Sequence, residues 1–289
     1  MNASRLTRRQ ALATAAGAAL AFSPALGALA AGTRRFRISA CDWSLGQAGN
    51  PEALRVAAEI GLDGVQVSFG APGAANDLRT ESAQRRYREA AREHGVEVSS
   101  LAMGILNSIP YASSPEAEKW VVDCVDVMAK MGQKVVLLAF FSNGDINGRP
   151  ELQQEVISRL KKVAPAAEKA GVSLGIESWM SADDHLRILD AVGSPAVRVY
   201  YDVANSEKMG YDIYKEIRQL GRERICEIHC KENESLLGKG RVDFVKVREA
   251  IDDIGWSGWL VLEGAMGKGM GVVESYTLNQ RFLRSVFST

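Results

Sequence analysis

The chain has 289 residues, of which 46% are hydrophobic and 24% charged, an ordinary globular composition that excludes a collagen-like, disordered or disulfide-scaffold protein. The 35 basic side chains equal the 35 acidic ones in number, so no bulk positive field exists to hold nucleic acid, and we expect no nucleic-acid partner. The cysteines, at positions 41, 124, 226 and 230, are too few and too scattered for a disulfide framework.

The first 30 residues carry the pattern of an export signal. No acidic residue precedes position 42, whereas the pair Arg8-Arg9 is followed by an uncharged stretch that ends in a small-residue cleavage pattern at Ala30. The pair resembles a twin-arginine signal, although Ala11 stands where a Phe is usual. We therefore expect a signal peptide over residues 1–30, export to the periplasm, and a domain of residues 31–289 without stable membrane association. An uncleaved membrane anchor is the alternative, which the weak membrane-insertion energy of Ala and Gly disfavours.

Behind this segment, short apolar runs alternate with helical patterns. The predicted strands cover residues 35–41, 63–69, 96–102, 134–140, 172–178, 197–202, 225–230 and 259–263. The predicted helices cover residues 51–60, 80–94, 115–131, 151–170, 182–191, 211–221, 243–254 and 274–287. Pro51 and Pro115 stand at first helical positions, and Gly61 and Gly132 follow helical runs, which supports these boundaries.

Eight strand–helix pairs match an α/β fold of the (β/α)8 TIM barrel type, whose usual length is about 250 residues. The main alternative is a doubly wound sheet, which would place a Gly-x-Gly-x-x-Gly phosphate loop after its first strand. No such motif occurs there, and the glycine-rich segment 267–271 comes only after the last strand. We therefore predict a single barrel domain.

Four consecutive predicted strands end on residue types that bind metals. Strands five to eight finish on Glu177, Asp202, His229 and Glu263, and the carboxyl ends of barrel strands form the active-site face. Three carboxylates converging there would repel one another unless a cation lay among them. Three oxygen donors and one imidazole suit one divalent metal, Mn²⁺, Mg²⁺ or Co²⁺, with Zn²⁺ as a further option.

The alternation of side chains along strand seven makes two further predictions. Cys226 and Cys230 are expected to point away from the face that carries His229 and to pack between barrel and helices, too far apart along the strand for a disulfide. Arg198 and Glu227 have inward parity, which predicts a buried ion pair inside the barrel.

The segments around the strand ends carry a family resemblance. They are Gly175–Ser178, Tyr201–Asn205, Ile228–Glu232 and Gly255–Glu263, together with the glycine-rich turn Gly238–Asp243. Through them the region from Phe36 to about residue 287 resembles the xylose isomerase-like TIM barrel superfamily, the sugar phosphate isomerase/epimerase group. The resemblance implies that Glu177, Asp202, His229 and Glu263 bind one divalent metal. It also implies that Glu177 and Glu263 are the catalytic acid/base pair, which exchanges the α-proton of a carbohydrate through an enediolate.

The sequence departs from the family pattern at two positions. Asn205 stands where many sugar epimerases carry His, and Glu232 where many carry Asp. An Asn side chain hydrogen-bonds a hydroxyl but cannot act as an acid at neutral pH. The first alternative to an isomerase/epimerase is therefore a lyase or dehydratase on a keto-sugar or keto-cyclitol. A non-catalytic sugar-binding barrel is the second, and the complete ligand set argues against it.

Further residues are candidates for contact with the sugar. Asn205 follows the last residue of strand six, Lys231 shares a strand face with His229, His185 lies early in a helix, and Trp43 follows strand one. Sugars stack on aromatic rings, so we also expect aromatic walls near the strand ends, from Phe69, Phe140 and Trp179. Subunit contacts often complete such sites in the family, so a homo-oligomer is a further expectation.

Overall fold

The computed structural model describes residues 35–288, so the predicted export signal and its cleavage point lie outside the described residues. Eight parallel strands close into a barrel in chain order, which confirms the predicted TIM barrel. They are β1 (Phe36–Cys41), β2 (Gly64–Ser68), β3 (Glu97–Met103), β4 (Val135–Phe140), β5 (Ser173–Ser178), β6 (Val197–Asp202), β7 (Ile225–Glu232) and β8 (Gly258–Gly264).

Helices follow the strands and form the outer layer. They are α1 (Glu52–Ile60), α2 (Glu81–His94), α3 (Pro115–Met131), α4 (Pro150–Ala170), α5 (Ala182–Val192), α6 (Val203–Lys208), α7 (Ile213–Leu220), α8 (Phe244–Asp253) and α9 (Val272–Val286). The sequence did not predict α6, which begins directly after β6 because the side chain of Asp202 caps it. Within residues 35–288 no helix combines the length and the apolar character needed to cross a bilayer.

Apolar side chains form two layers around the strands. The larger layer lies between the barrel and the helices, and Cys230 belongs to it, as predicted, together with Ile228. The smaller layer fills the barrel interior with Cys41, Ala102, Leu137, Ala139, Tyr200 and Val261. Because two of these are alanines, the interior stays open toward the carboxyl ends of β3 and β4, where the cavity described below begins.

Cys226 does not follow the alternation predicted for strand seven. Val199 pairs with Ile225, but the next residue, Tyr200, pairs with Glu227, so Cys226 is an extra residue in a β-bulge. The bulge turns its side chain toward the interior layer, where the thiol donates to the carbonyl of Val199 at 3.2 Å. The prediction that Cys226 packs between barrel and helices was therefore wrong. It and the other three cysteines are free thiols, as expected.

The ion pair predicted between Arg198 and Glu227 is also absent from the described structure. The guanidinium of Arg198 donates through Nε to the carbonyl of Pro195 at 3.1 Å, at the amino end of β6. There its long side chain reaches solvent and avoids the cost of burying a charge. Glu227 instead accepts hydrogen bonds from the hydroxyls of Ser100 and Tyr200.

Gly175 is required by close packing inside the barrel. A Cβ at this position would lie 2.7 Å from Cys226 Sγ and 3.1 Å from Tyr200 Cβ. We expect Gly175→Ala to lower the free energy of unfolding by about 1–3 kcal/mol because the interior has no room for a methyl group. Urea unfolding measures this. The matched control is Gly104→Ala, whose Cβ would have no atom within 4 Å. Equal stability of the two variants would contradict the prediction.

Candidate metal centre and active-site cavity

The four predicted ligands meet at the carboxyl-end face of the barrel. One ligand atom from each of Glu177, Asp202, His229 and Glu263 lies within 4.8 Å of the other three. Each residue stands at or near the end of its own strand, β5 to β8, and neighbouring parallel strands bring these ends together. The sequence predicted that these four side chains share one face of the barrel, and closure of the barrel determines the distances between them.

His229 lies at the centre of the cluster and is fully buried. Its Nδ1 lies 2.9 Å from Glu177 Oε1, 3.5 Å from Glu263 Oε2 and 3.8 Å from Asp202 Oδ2. Burial alone would lower the pKa of His229, yet the surrounding carboxylates raise it well above its usual range. The side of the ring that carries Nδ1 is therefore the strongly negative side.

The two carboxylate oxygens of Asp202 have different roles. Oδ1 accepts hydrogen bonds from the backbone amides of Ala204 and Asn205, at 2.9 and 2.8 Å, and so caps α6. Oδ2 is buried and has no hydrogen-bond partner among residues 35–288. Burial opposes ionisation of Asp202, but the His229 ring and the Lys231 ammonium lower its pKa. A buried, charged oxygen without a hydrogen-bond partner is a feature that a bound cation would satisfy.

The two glutamates have different surroundings. Burial raises the pKa of Glu177 to about 7, although the neighbouring His229 opposes the shift. Glu263 is held from two sides, because the indole of Trp43 donates to Oε1 at 3.1 Å and the Lys231 ammonium donates to Oε2 at 2.8 Å. A pKa near neutrality suits a group that takes and returns a proton.

The donor set fits one divalent cation. Two ligand atoms at about 2.1 Å from one ion lie at most about 4.2 Å apart. The four atoms lie within 4.8 Å of one another. A pair at that limit would need to approach by about 0.6 Å to bind one ion from opposite sides. Three carboxylates and one imidazole suit Mn²⁺, Mg²⁺, Co²⁺ or Zn²⁺. Lys231, whose Nζ lies 3.7 Å from Asp202 Oδ2, offsets only part of the negative charge.

A cavity of about 530 Å³ opens above the cluster. Three of the four predicted substrate contacts line it, namely Trp43, Asn205 and Lys231, along with the catalytic candidates Glu177 and Glu263. Its aromatic walls are Trp43, Phe69, Phe141 and Trp179. Phe141 takes the place predicted for Phe140, which is fully buried in the outer layer.

His185 is not among the residues that line the cavity. It is 4% exposed, with Nε2 lying 3.1 Å from Ser178 Oγ and Nδ1 3.0 Å from the carbonyl oxygen of Ser181. Burial lowers its pKa to about 4, so the ring is neutral at physiological pH. The structure therefore places His185 in the first turn of α5, where it packs against the preceding loop, apart from the other predicted site residues.

Sequence reasoning missed Gln66, a fully buried side chain below the cluster. Its Oε1 lies 3.0 Å from His229 Nε2, and its Nε2 lies 2.8 Å from the hydroxyl of Tyr200. The available signal was a single amide in the apolar run Val65-Gln66-Val67. A buried polar residue in such a strand needs a partner, which the sequence alone could not identify.

Glu227 lies deeper in the barrel and makes the unfolding free energy depend on pH. Burial raises its pKa to about 8, although hydrogen bonds from Ser100 and Tyr200 oppose the shift. An unfolded Glu ionises near 4.5, so between these two values only the unfolded state loses its proton. The stability contributed by this group is full at low pH and falls as pH rises toward 8, by up to about 1.4 kcal/mol per pH unit.

We therefore expect Glu227→Gln, which cannot ionise, to show a weaker loss of stability than the wild type between pH 5 and pH 8. Urea unfolding across that range, with the metal removed by a chelator, measures the difference. The control is Glu223→Gln, whose side chain is exposed at the surface and pairs with Arg222. Parallel stability profiles for the wild type and Glu227→Gln would contradict the assigned pKa.

Comparisons with known proteins agree with this architecture. The profile of the family described as Xylose isomerase-like TIM barrel matches residues 54–285. A 2-epi-5-epi-valiolone 7-phosphate 2-epimerase from Actinoplanes sp. (strain ATCC 31044 / CBS 674.73 / SE50/110) is 28% identical over 177 residues. That match spans 61% of this chain and 65% of the relative, which is less than two thirds of the relative's length.

Solved structures share the fold at low sequence identity. The D-psicose 3-epimerase of Clostridium cellulolyticum H10, crystallised with D-tagatose, superposes with a TM-score of 0.74 at 17% identity, over 88% of this chain and all of the other. A xylose isomerase-like TIM barrel protein from Mycobacterium smegmatis, solved in complex with magnesium, gives a TM-score of 0.69 at 17% identity, over 87% and 96%. Because the family profile covers most of the sequence, the chain belongs to the xylose isomerase-like TIM barrel family.

Proposed function

We propose that this protein is a divalent-metal-dependent sugar isomerase or epimerase that acts by α-proton transfer. The observation that carries the proposal is the position of two carboxylates, Glu177 and Glu263, which share one buried ligand cluster and line one cavity. The relatives named above that are epimerases act on sugars or on a sugar-like phosphate, which supports the same class of reaction here.

The roles of the chain's residues follow from their surroundings. Glu177, a carboxylate of the cluster that also lines the cavity, takes the proton from the carbon beside the carbonyl and can return it. Glu263 is the second carboxylate of the acid/base pair, oriented by Trp43 and Lys231. When bound by the cluster, a divalent cation would polarise the substrate carbonyl and stabilise the negative charge that develops on oxygen.

The charge of the cavity favours an uncharged substrate. Lys231 is the one cationic side chain among the residues that line it, and its ammonium already pairs with Glu263 and Asp202. A phosphate group would meet carboxylates and aromatic rings, with no free cationic side chain among the described residues that line the cavity. We therefore propose a free keto-sugar, ketose or keto-glycoside, held by stacking on the aromatic walls and by hydrogen bonds from Asn205 and Lys231.

Asn205 favours a second candidate function. It lines the cavity beside the cluster and can hydrogen-bond a hydroxyl, but it cannot supply a proton. A lyase or dehydratase on a keto-sugar or keto-cyclitol begins with the same removal of the α-proton. The hydroxyl on the next carbon then takes up a proton and leaves as water, so no proton returns to carbon. We retain this reaction as the alternative.

Two further proposals concern the protein's location and assembly. We propose that residues 1–30 direct export to the periplasm by the twin-arginine route and are then removed, leaving residues 31–289. The N-terminal sequence of the protein recovered from a periplasmic fraction tests this, and an intact N-terminus in the cytoplasm would contradict it.

The proposal of a homo-oligomer is tested by light scattering of the purified protein.

Deuterium uptake from D₂O tests the function. The purified protein, with Mn²⁺, Mg²⁺, Co²⁺ or Zn²⁺ added in turn, is incubated with free keto-sugars, ketoses and keto-glycosides and with phosphorylated counterparts. We expect deuterium at the carbon beside the carbonyl of a free sugar, and loss of exchange when a chelator removes the metal. Product analysis separates epimer or isomer from dehydrated product. Absence of exchange with every metal and sugar would reject both reactions and favour a non-catalytic sugar-binding barrel.

A further inference from the structure

Gln66 lies on β2 and faces the side of His229 that is turned away from the carboxylates. Its Oε1 lies 3.0 Å from His229 Nε2, while Nδ1 of the same ring lies 2.9 Å from Glu177 Oε1. A neutral imidazole carries one proton and one lone pair, and the nitrogen that binds a metal must offer the lone pair. The position of that single proton therefore decides whether His229 can act as a ligand through Nδ1.

The direction of the Gln66 amide is fixed from below. Its Nε2 lies 2.8 Å from the hydroxyl of Tyr200 and 3.2 Å from Ser100 Oγ. Both hydroxyls donate to the same oxygen of Glu227, at 2.9 and 2.8 Å. A hydroxyl has one proton, so each presents only lone pairs to Gln66. The amide must turn its NH₂ group toward them, and its carbonyl oxygen then faces His229.

We infer that Gln66 is a positioning residue, which holds the proton of His229 on Nε2 and leaves the Nδ1 lone pair to the metal. Glu227 contributes without touching His229. It accepts the protons of the Tyr200 and Ser100 hydroxyls, and these hydroxyls then orient the Gln66 amide. The thiol of Cys41 lies 3.3 Å from Gln66 Oε1 and 3.4 Å from His229 Nε2. Because its single proton is donated to Oε1, its sulfur can only accept from Nε2, which agrees with a proton on that nitrogen. The inference rests on the metal site of the proposed function and adds the group that makes one of its ligands competent.

A substitution at Tyr200 distinguishes the hydrogen-bonding role of this network from simple packing against His229. Its ring stacks edge-on against His229 with centroids 4.6 Å apart, while its hydroxyl belongs to the chain of hydrogen bonds. Tyr200→Phe keeps the ring and removes only the hydroxyl. Similarly, Gln66→Met keeps the volume of the side chain and removes the acceptor, whereas Gln66→Glu keeps an acceptor toward His229.

Two measurements test the inference. The affinity for Mn²⁺ is measured by isothermal titration calorimetry on the wild type and the variants. We expect Gln66→Met to bind Mn²⁺ about 10–100-fold more weakly, as is typical when the outer partner of a metal-binding His is removed. Gln66→Glu is expected to bind at least as tightly as the wild type. Tyr200→Phe combined with Ser100→Ala should weaken binding in the same direction, and this pair keeps the test available if Gln66→Met does not fold.

The second measurement is the long-range ¹H–¹⁵N NMR correlation of the zinc-loaded protein labelled with ¹⁵N-histidine, in which only three histidines contribute. We expect His229 to carry its proton on Nε2 and none on Nδ1, which identifies Nδ1 as the ligand atom. Zinc-loaded Gln66→Met is expected to keep this pattern, because the ion itself occupies Nδ1, and to differ only in affinity. A wild-type proton on Nδ1, or unchanged Mn²⁺ affinity in Gln66→Met, would overturn the inference. Proton exchange by the wild type is measured separately, so the inference can fail while the proposed function stands. A wild type that binds no divalent metal would overturn both.

Discussion

Glu177→Gln is expected to slow deuterium exchange at the substrate α-carbon by about 10²–10⁴-fold, the usual contribution of a positioned acid or base. The substitution preserves size and one carbonyl oxygen near His229, but an amide cannot take a proton at neutral pH. The measurement is the initial rate of deuterium incorporation at saturating metal, so that weaker metal binding by the variant does not enter the result.

The matched control is Glu216→Gln. Glu216 is also buried, but its carboxylate accepts from the backbone amide of Ala182 and the hydroxyl of Tyr201 outside the cavity. This control should exchange deuterium at the wild-type rate, which shows that loss of a buried carboxylate is not enough. Exchange at the wild-type rate by metal-loaded Glu177→Gln would remove Glu177 from the catalytic role, and Glu263→Gln would then identify the remaining candidate base.

Asp202→Asn is expected to abolish most of the stabilisation that a bound metal gives. At a metal concentration 100 times the dissociation constant, the wild type gains about 2.7 kcal/mol of unfolding free energy. A 100-fold loss of affinity would reduce that gain to about 0.4 kcal/mol at the same concentration. For a chain of this size, the wild-type gain corresponds to a rise in Tm of roughly 5–10 °C. Thermal unfolding with and without Mn²⁺ measures both values.

Asn is chosen because it changes the ligand oxygen of residue 202 and keeps the oxygen that caps α6. Asn keeps an oxygen that can accept from the amides of Ala204 and Asn205, and it replaces the charged, unpartnered Oδ2. The metal-free variant should therefore unfold at or above the wild-type temperature. Asp212→Asn is the control, because Asp212 also caps a helix, α7, but is exposed and does not belong to the cluster. A full metal-induced shift in Asp202→Asn would show that Asp202 is not a ligand.

The fold was predictable because local patterns and barrel geometry agree. Apolar runs separated by capped helices fixed eight strand–helix pairs, and the structure places a strand at every predicted position. The departures have local causes. The bulge at Cys226 breaks the two-residue alternation, and the Asp202 cap starts α6 directly at a strand end. Neither feature leaves a mark on the pattern of apolar residues in the sequence, so neither could be predicted from that pattern.

The candidate site divides in the same way. Glu177, Asp202, His229 and Glu263 were predictable because each ends a strand, and all strand ends of a parallel barrel lie on one face. Residues whose role depends on distances between different strands and loops could not be predicted in this way. His185 and Phe140 were predicted at the site together with Trp43, yet side-chain direction buries the first two, and Phe141, which was not predicted, lines the cavity.

By itself, the sequence determined the barrel class, the four residues of the cluster and the sign of the charge they bring together. Only the tertiary structure decided which atoms meet. The unpartnered oxygen of Asp202, the pairing of Lys231 with Glu263, and the amide of Gln66 against His229 all join residues distant in the chain. Periodicity records which way a side chain faces along its own strand. Contacts between strands depend on closure, register and one bulge, and these are properties of the assembled barrel.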